Sequence, residues 1–188
     1  MRVCVALVLA LLLLPACGSE ESDRPAAPAP ASLPGSALPD LDSRARSLSA
    51  EALAADAYEP DALGRLLDEA GFVAGSEREF SGKTRTFDHV VARTLAFEDA
   101  GGAETYLDWL RTHGEDFLGR VQEAEMRPPG EAGVAFALAP CGTCKKETPT
   151  FLAGWRRGTT VLTLLAAGPG ANPERFSALA EGFDRLVT

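Results

Sequence analysis

The chain reads as one α+β domain, an antiparallel sheet of about five strands with helices packed on one face, behind a signal segment and a linker. Three observations predict it. Apolar residues switch between the helical and the strand period in the order helix, two strands, helix, three strands, helix. Gly82 and Gly158 sit in short polar turns, which make the strands on either side antiparallel neighbours. The stretch from Leu41 to Thr188 has the length of a single domain.

The first element is an address. Arg2 is the only charge before Glu20, and Val3 to Leu14 is an unbroken apolar run. At ~1.5 Å per residue that run spans ~18 Å, too short for a ~30 Å hydrocarbon core. A positive start, a short apolar run and a small residue before the break make a secretory signal, residues 1–16. Leu14-Pro15-Ala16-Cys17 closes it, and this stretch resembles the lipobox of bacterial lipoproteins. The resemblance implies that Cys17 becomes the first mature residue, carries thioether-linked lipid, and anchors the protein to the cell membrane on its extracytoplasmic face. One acyl chain holds only marginally, whereas the two or more chains of such lipoproteins hold stably. Cys4 falls in the discarded segment.

The formal net charge is −9 over 188 residues, and the signal segment takes only Arg2 with it. So acidic a chain does not suit nucleic acid, whose phosphates need cationic partners. It draws little on anionic lipid either, so the lipid on Cys17 carries the membrane contact. Residues 17–40 hold Pro25, Pro28, Pro30, Pro34 and Pro39 among Ala, Ser and acidic residues, with no aromatic residue and no helical stripe. Such a segment buries too little to offset its ordering entropy and reads as a disordered tether.

Within residues 41–188, the Ala-rich stretch to Tyr58 is helix-prone with a cap at Ser49. Leu63, Leu66, Leu67 and Ala70 fall on one helical face between Pro60 at the first turn and Gly71 at the C′ position. Phe72 to Phe80 reads as a strand, Ser81-Gly82-Lys83 as a turn, and Thr84 to Phe97 as a second strand. Glu98 to His113 is a helix with the stripe Ala103, Tyr106, Leu107 and Leu110, extended by Glu115 to Val121. Three strands follow, around Val134 to Leu138, Phe151 to Trp155 and Thr159 to Ala167. Asn172 as N-cap and Pro173 at N1 start a last helix striped by Phe176, Leu179, Ala180 and Phe183. The order, the Gly71-Phe72 step and the Trp155-Arg156-Arg157-Gly158 hairpin resemble PsbP-like domains of secreted lipoproteins. That resemblance implies a largely non-catalytic domain and no more; the function expected of the chain is a surface lipoprotein that binds a small ligand or an envelope protein.

The sharpest local feature is Cys141-Gly142-Thr143-Cys144. Outside the cytoplasm such a pair oxidises to a disulfide, and a loop this small gains on the order of 2 kcal/mol or less from closure. The run from Ala139 to Pro149 also resembles the active-site segment of exported thioredoxin-like reductases, which implies a thiol-disulfide redox lipoprotein acting through Cys141 and Cys144. Pro140 and Thr143 depart from that pattern, and too little chain follows Pro149 for the rest of such a fold. Zinc would need two further ligands, and His89 and His113, the two histidines, have no partner spacing. No Gly-x-Ser-x-Gly elbow and no Gly-rich phosphate loop occur, so no catalytic residue, resident metal or cofactor is expected. Glu77 and Glu79 flanking Arg78 read as a solvated strand face. Lys83 with Arg85, Lys145 with Lys146, and Arg156 with Arg157 read as separate loop charges, or as an anion-binding edge if they converge.

Overall fold

The computed structural model describes residues 30–140, 143 and 147–187. The signal segment with Cys17, and both Cys141 and Cys144, lie outside the described residues. In chain order the elements are β1 Asp42–Leu48, α1 Ala50–Ala54, α2 Pro60–Glu69, β2 Phe72–Ser81, β3 His89–Phe97, α3 Ala100–Thr112, α4 Gly114–Leu118, β4 Val121–Glu123, β5 Ala132–Leu138, β6 Thr150–Arg157, β7 Thr160–Ala167 and α5 Pro173–Val187. The strands form one open antiparallel sheet in the order β1-β2-β3-β7-β6-β5-β4. The α+β class stands.

Several expectations need correcting. The sheet has seven strands rather than about five. Both additions are edge strands whose residues are almost all exposed, so no apolar stripe marks them. β1 occupies half of the stretch read as helix-prone; only Leu48 at its end is buried, and the Ser49 cap starts α1 behind it, its side chain accepting from the Ala52 N–H at 3.1 Å. β4 takes the place of the expected extension to Val121, because Gly119 leaves the helical region with a φ of 76° and ends α4. Strand β3 begins at His89 rather than Thr84. The Thr84 hydroxyl accepts from the Thr86 and Phe87 amides and donates to the Phe87 carbonyl, which closes residues 84–87 into a turn.

A further correction concerns the layers. Helices cover both faces of the sheet. Phe80, Val90, Ala92, Phe151, Ala153, Trp155, Leu162 and Leu164 pack under α5 through Phe176, Ala180 and Phe183. Leu95, Phe97, Val134, Phe136, Leu152 and Val161 pack on the opposite face with α1, α2 and α3. The central strands β6 and β7 are apolar at successive positions, Phe151–Trp155 and Val161–Leu162, which is what a strand covered on both sides requires. The expected stripes hold: Leu63 and Leu67 on α2, Ala103, Tyr106, Leu107 and Leu110 on α3, and Phe176, Ala180 and Phe183 on α5 are buried. Asn172 caps α5, its side-chain oxygen accepting from the Arg175 amide at 2.9 Å.

The folded body also begins before Leu41. Leu33 is 1% exposed and joins the α5-side core, with Ala37 and Leu38 packed against it, around a 3-10 turn at Gly35–Ala37. The boundary expected after Asp40 therefore lies earlier, at or before Leu33.

Candidate functional site: a cavity beneath the third helix

The site is built on the face opposite α5. Arg46 on β1, Glu77 on β2, Arg93 on β3, Thr163 on β7 and Gly154 on β6 are successive cross-strand partners in one row. The alternation of β-strand side chains puts all five on one face. Gly154 is the position that lets α3 come close. A Cβ there would stand 2.4 Å from Leu110 Cδ2, so any side chain would make Leu110, which lines the cavity under α3, shift.

Next to Gly154 the row is polar. The Arg46 and Arg93 Nε atoms each donate to Glu77, at 2.6 Å, one to each carboxylate oxygen. Both arginines also donate through Nη2 to Asp56 Oδ2, at 2.9 and 2.7 Å, which pins the connection between α1 and α2 to the sheet. Two cations and two carboxylates thus form a balanced ring. Burial works against the Glu77 charge, but the Arg46 bond and the Arg93 charge and bond outweigh it and hold the carboxyl below its ordinary range. The same bond to Glu77 holds the Arg46 guanidinium firmly protonated.

Arg93 forms the boundary between this ring and a cavity of about 70 Å³ lined by Val91, Arg93, Tyr106, Leu110, Phe117, Leu152, Thr163 and Leu165. Tyr106, Leu110, Leu152 and Thr163 are its buried floor, and Val91, Phe117 and Leu165 are its half-buried rim. Tyr106 is 1% exposed and Thr163 6%, and neither hydroxyl makes a hydrogen bond to a described residue. Burial pushes the Tyr106 phenol up to about 12, so at neutral pH it is a hydrogen-bond donor. Arg93 commits Nε and Nη2 to the ring, and among the described residues nothing takes Nη1. An apolar pocket with a few convergent donors has the chemistry of a binding site.

The residues singled out in the sequence are placed as follows. His89 stands on the same sheet face, two residues from Val91 at the rim, with Nδ1 3.6 Å from Glu79. His113 ends α3, stacked on Trp109 at 4.8 Å, with Nδ1 2.9 Å from the Trp109 carbonyl oxygen. Trp109 is thereby half-buried, closing an aromatic string with Tyr106 and Phe117. Among the described residues no group of three His, Cys, Asp or Glu could hold a metal ion. Arg156 pairs with Glu104 and Glu131, and Arg157 pairs with Asp184, so these two serve the fold rather than an anion. Cys141 and Cys144 lie in the connection between β5 and β6, whose flanks pair antiparallel with Ala137 opposite Phe151. A strand, β6, stands where a thioredoxin-like segment needs its long helix.

The sequence reading missed Arg93, Tyr106 and Thr163 as a group. Tyr106 reads as one more stripe residue, and Glu77 as a solvated position. The signal that could have found the ring is the β2–β3 register, which sets Glu77 opposite Arg93. Reading Thr84 to Asp88 as strand hides that register.

No family model and no curated protein matches the chain. Among solved structures, the extracellular domain of PknH from Mycobacterium tuberculosis aligns with a TM-score of 0.45 and 11% identity, over 76% of this chain and 77% of that one.

Proposed function

We propose that this chain is a membrane-anchored extracytoplasmic lipoprotein, lipidated at Cys17, whose domain holds a small ligand without converting it. The observation that carries the ligand reading is the cavity under α3, an apolar pocket whose polar lining is Arg93, Tyr106 and Thr163, with neither hydroxyl hydrogen-bonded to a described residue. A ligand that accepts from these two hydroxyls would meet no competing partner among the described residues. The non-catalytic part is supported by the buried carboxylates. Glu77 and Asp184 are each held by arginine below the ordinary carboxylate range, which makes them fixed acceptors and poor proton donors.

The anchor is supported by the lipobox Leu14–Cys17 behind its short apolar run. No helix among the described residues is long and apolar enough to cross a membrane. Between Cys17 and Leu33 the Pro-rich segment reaches at most about 50 Å at the polyproline rise, enough to hold the domain clear of the headgroups. Cys141 and Cys144 fit a disulfide that tightens the β5–β6 connection, because the strands it joins are antiparallel neighbours. Intact-mass analysis of the membrane fraction tests the anchor. Wild-type chain should carry acyl chains on Cys17 and partition with membranes, and Cys17→Ala should carry none. A wild-type mass without lipid would overturn it.

A further inference from the structure

We propose that the cavity under α3 is built for the carboxylate end of a short-chain acid. This rests on the reading that the domain holds a small ligand, and it names the ligand's class.

The polar groups lining the cavity are the Arg93 guanidinium and the hydroxyls of Tyr106 and Thr163, each with a donor to give. No carboxylate lines it. A ligand must therefore present an acceptor at that end, and a cation would meet Arg93. The rest of the lining, Val91, Leu110, Phe117, Leu152 and Leu165, calls for an apolar body. The volume of about 70 Å³ keeps the enclosed part short: an apolar cavity of about 150 Å³ takes benzene, so this one encloses roughly three non-hydrogen atoms, the carboxylate end of a chain such as butyrate whose remainder lies along the half-buried rim.

Charge decides which of the two ring carboxylates yields. Arg46 and Arg93 are balanced by Glu77 and Asp56, so an added carboxylate needs one of those to step back. Glu77 has 8% of its side chain exposed and is held on both oxygens by the two arginines. Asp56 is 33% exposed, sits on the connection between α1 and α2, and is bonded through one oxygen. Asp56 is the exchangeable partner: it turns to water, and the ligand carboxylate takes up Arg93 Nη2 or Nη1 with the two hydroxyls.

The test is calorimetric titration of the full lipidated chain, in detergent, with sodium butyrate, butyramide and butylammonium. Butyrate should bind, butyramide at least tenfold more weakly, and butylammonium not at all. Tyr106→Phe and Thr163→Val, which keep the shape of the site, should each weaken butyrate by about tenfold, the worth of a hydrogen bond to a charged group. Asp56→Asn should strengthen it several-fold, because the internal competitor is gone, an effect that a merely structural Asp56 would not produce. Butyramide binding as tightly as butyrate overturns the carboxylate while leaving the small-ligand reading standing. No binding of any of the three overturns both.

Discussion

Trp155 and Tyr106 are the two largest side chains in the fully buried core, and each carries one polar group. They lie on opposite faces of the same sheet and solve the same problem differently. Trp155 Nε1 donates to Asp184 Oδ1 at 2.9 Å, and Arg157 Nε donates to the same oxygen at 2.9 Å. The Arg157 bond, opposed by burial and helped by Trp155, holds the Asp184 carboxyl below its ordinary range. That clamp ties α5 to β6, and the rings of Trp155 and Phe183 meet edge-on at 5.7 Å. Tyr106 packs against Phe97 and Trp109 at 5.7 Å, and its hydroxyl makes no hydrogen bond to a described residue. A buried aromatic hydroxyl ordinarily finds a partner. Where the polar group is bonded within the chain, the region is scaffold; where it is left open beside a cavity, the region is poised for something outside the chain. The contrast is not absolute, since the Ser76 and Thr94 hydroxyls, cross-strand neighbours, are also buried without a partner.

The largest effect should come from the scaffold. Trp155→Ala removes the biggest buried side chain and strands Asp184, and should cost about 3–5 kcal/mol in denaturant unfolding. A loss under about 1 kcal/mol would erase the contrast. Next is the ring. Glu77→Gln leaves two arginines without their shared charge and should cost about 2–3 kcal/mol at pH 7. Its effect should depend on pH with a definite sign. Glu77 and Asp184 both have folded values below the unfolded ones, so their stabilisation is complete above about pH 5. It is lost as pH falls through the lower folded values. The Glu77→Gln chain should therefore lose less stability than wild type on acidification, which chemical denaturation at pH 7 and pH 3 would measure.

The connection between β5 and β6 should matter less. Cys141→Ser with Cys144→Ser should cost on the order of 2 kcal/mol or less, and the reduced wild-type thiols should alkylate with a midpoint near ~8.5. A Cys141 midpoint well below neutral would restore the redox reading. The smallest effect on stability should be at the cavity: Tyr106→Phe should change it by about 0.5 kcal/mol or less, because no bond within the chain is lost. A cost above about 1.5 kcal/mol would mean that the hydroxyl has a structural partner.

The scaffold was far more legible in the sequence than the cavity. The stripes of α2, α3 and α5, the Asn172 cap and the hairpin at Gly158 follow from local periodicity and turn chemistry. Strand β1 was hidden because Asp42, Arg44 and Arg46 leave an edge strand without an apolar face. The two-sided packing was written in the unbroken apolar run of β6, but an expectation of alternation passes over it. The cavity depends on register across the three strands β3, β7 and β6 and on the seating of α3 over them, and neither is a local property.

One measurement tests the central contrast most directly. In a methyl-resolved NMR titration of the full chain with sodium butyrate, Val91, Leu152, Thr163 and Leu165 report on the cavity, and Val90, Leu162 and Leu164 report on the α5 face of the same strands. The account predicts saturable shifts confined to the first set and lost in Tyr106→Phe. Shifts of equal size in both sets, or none in the first, would contradict it.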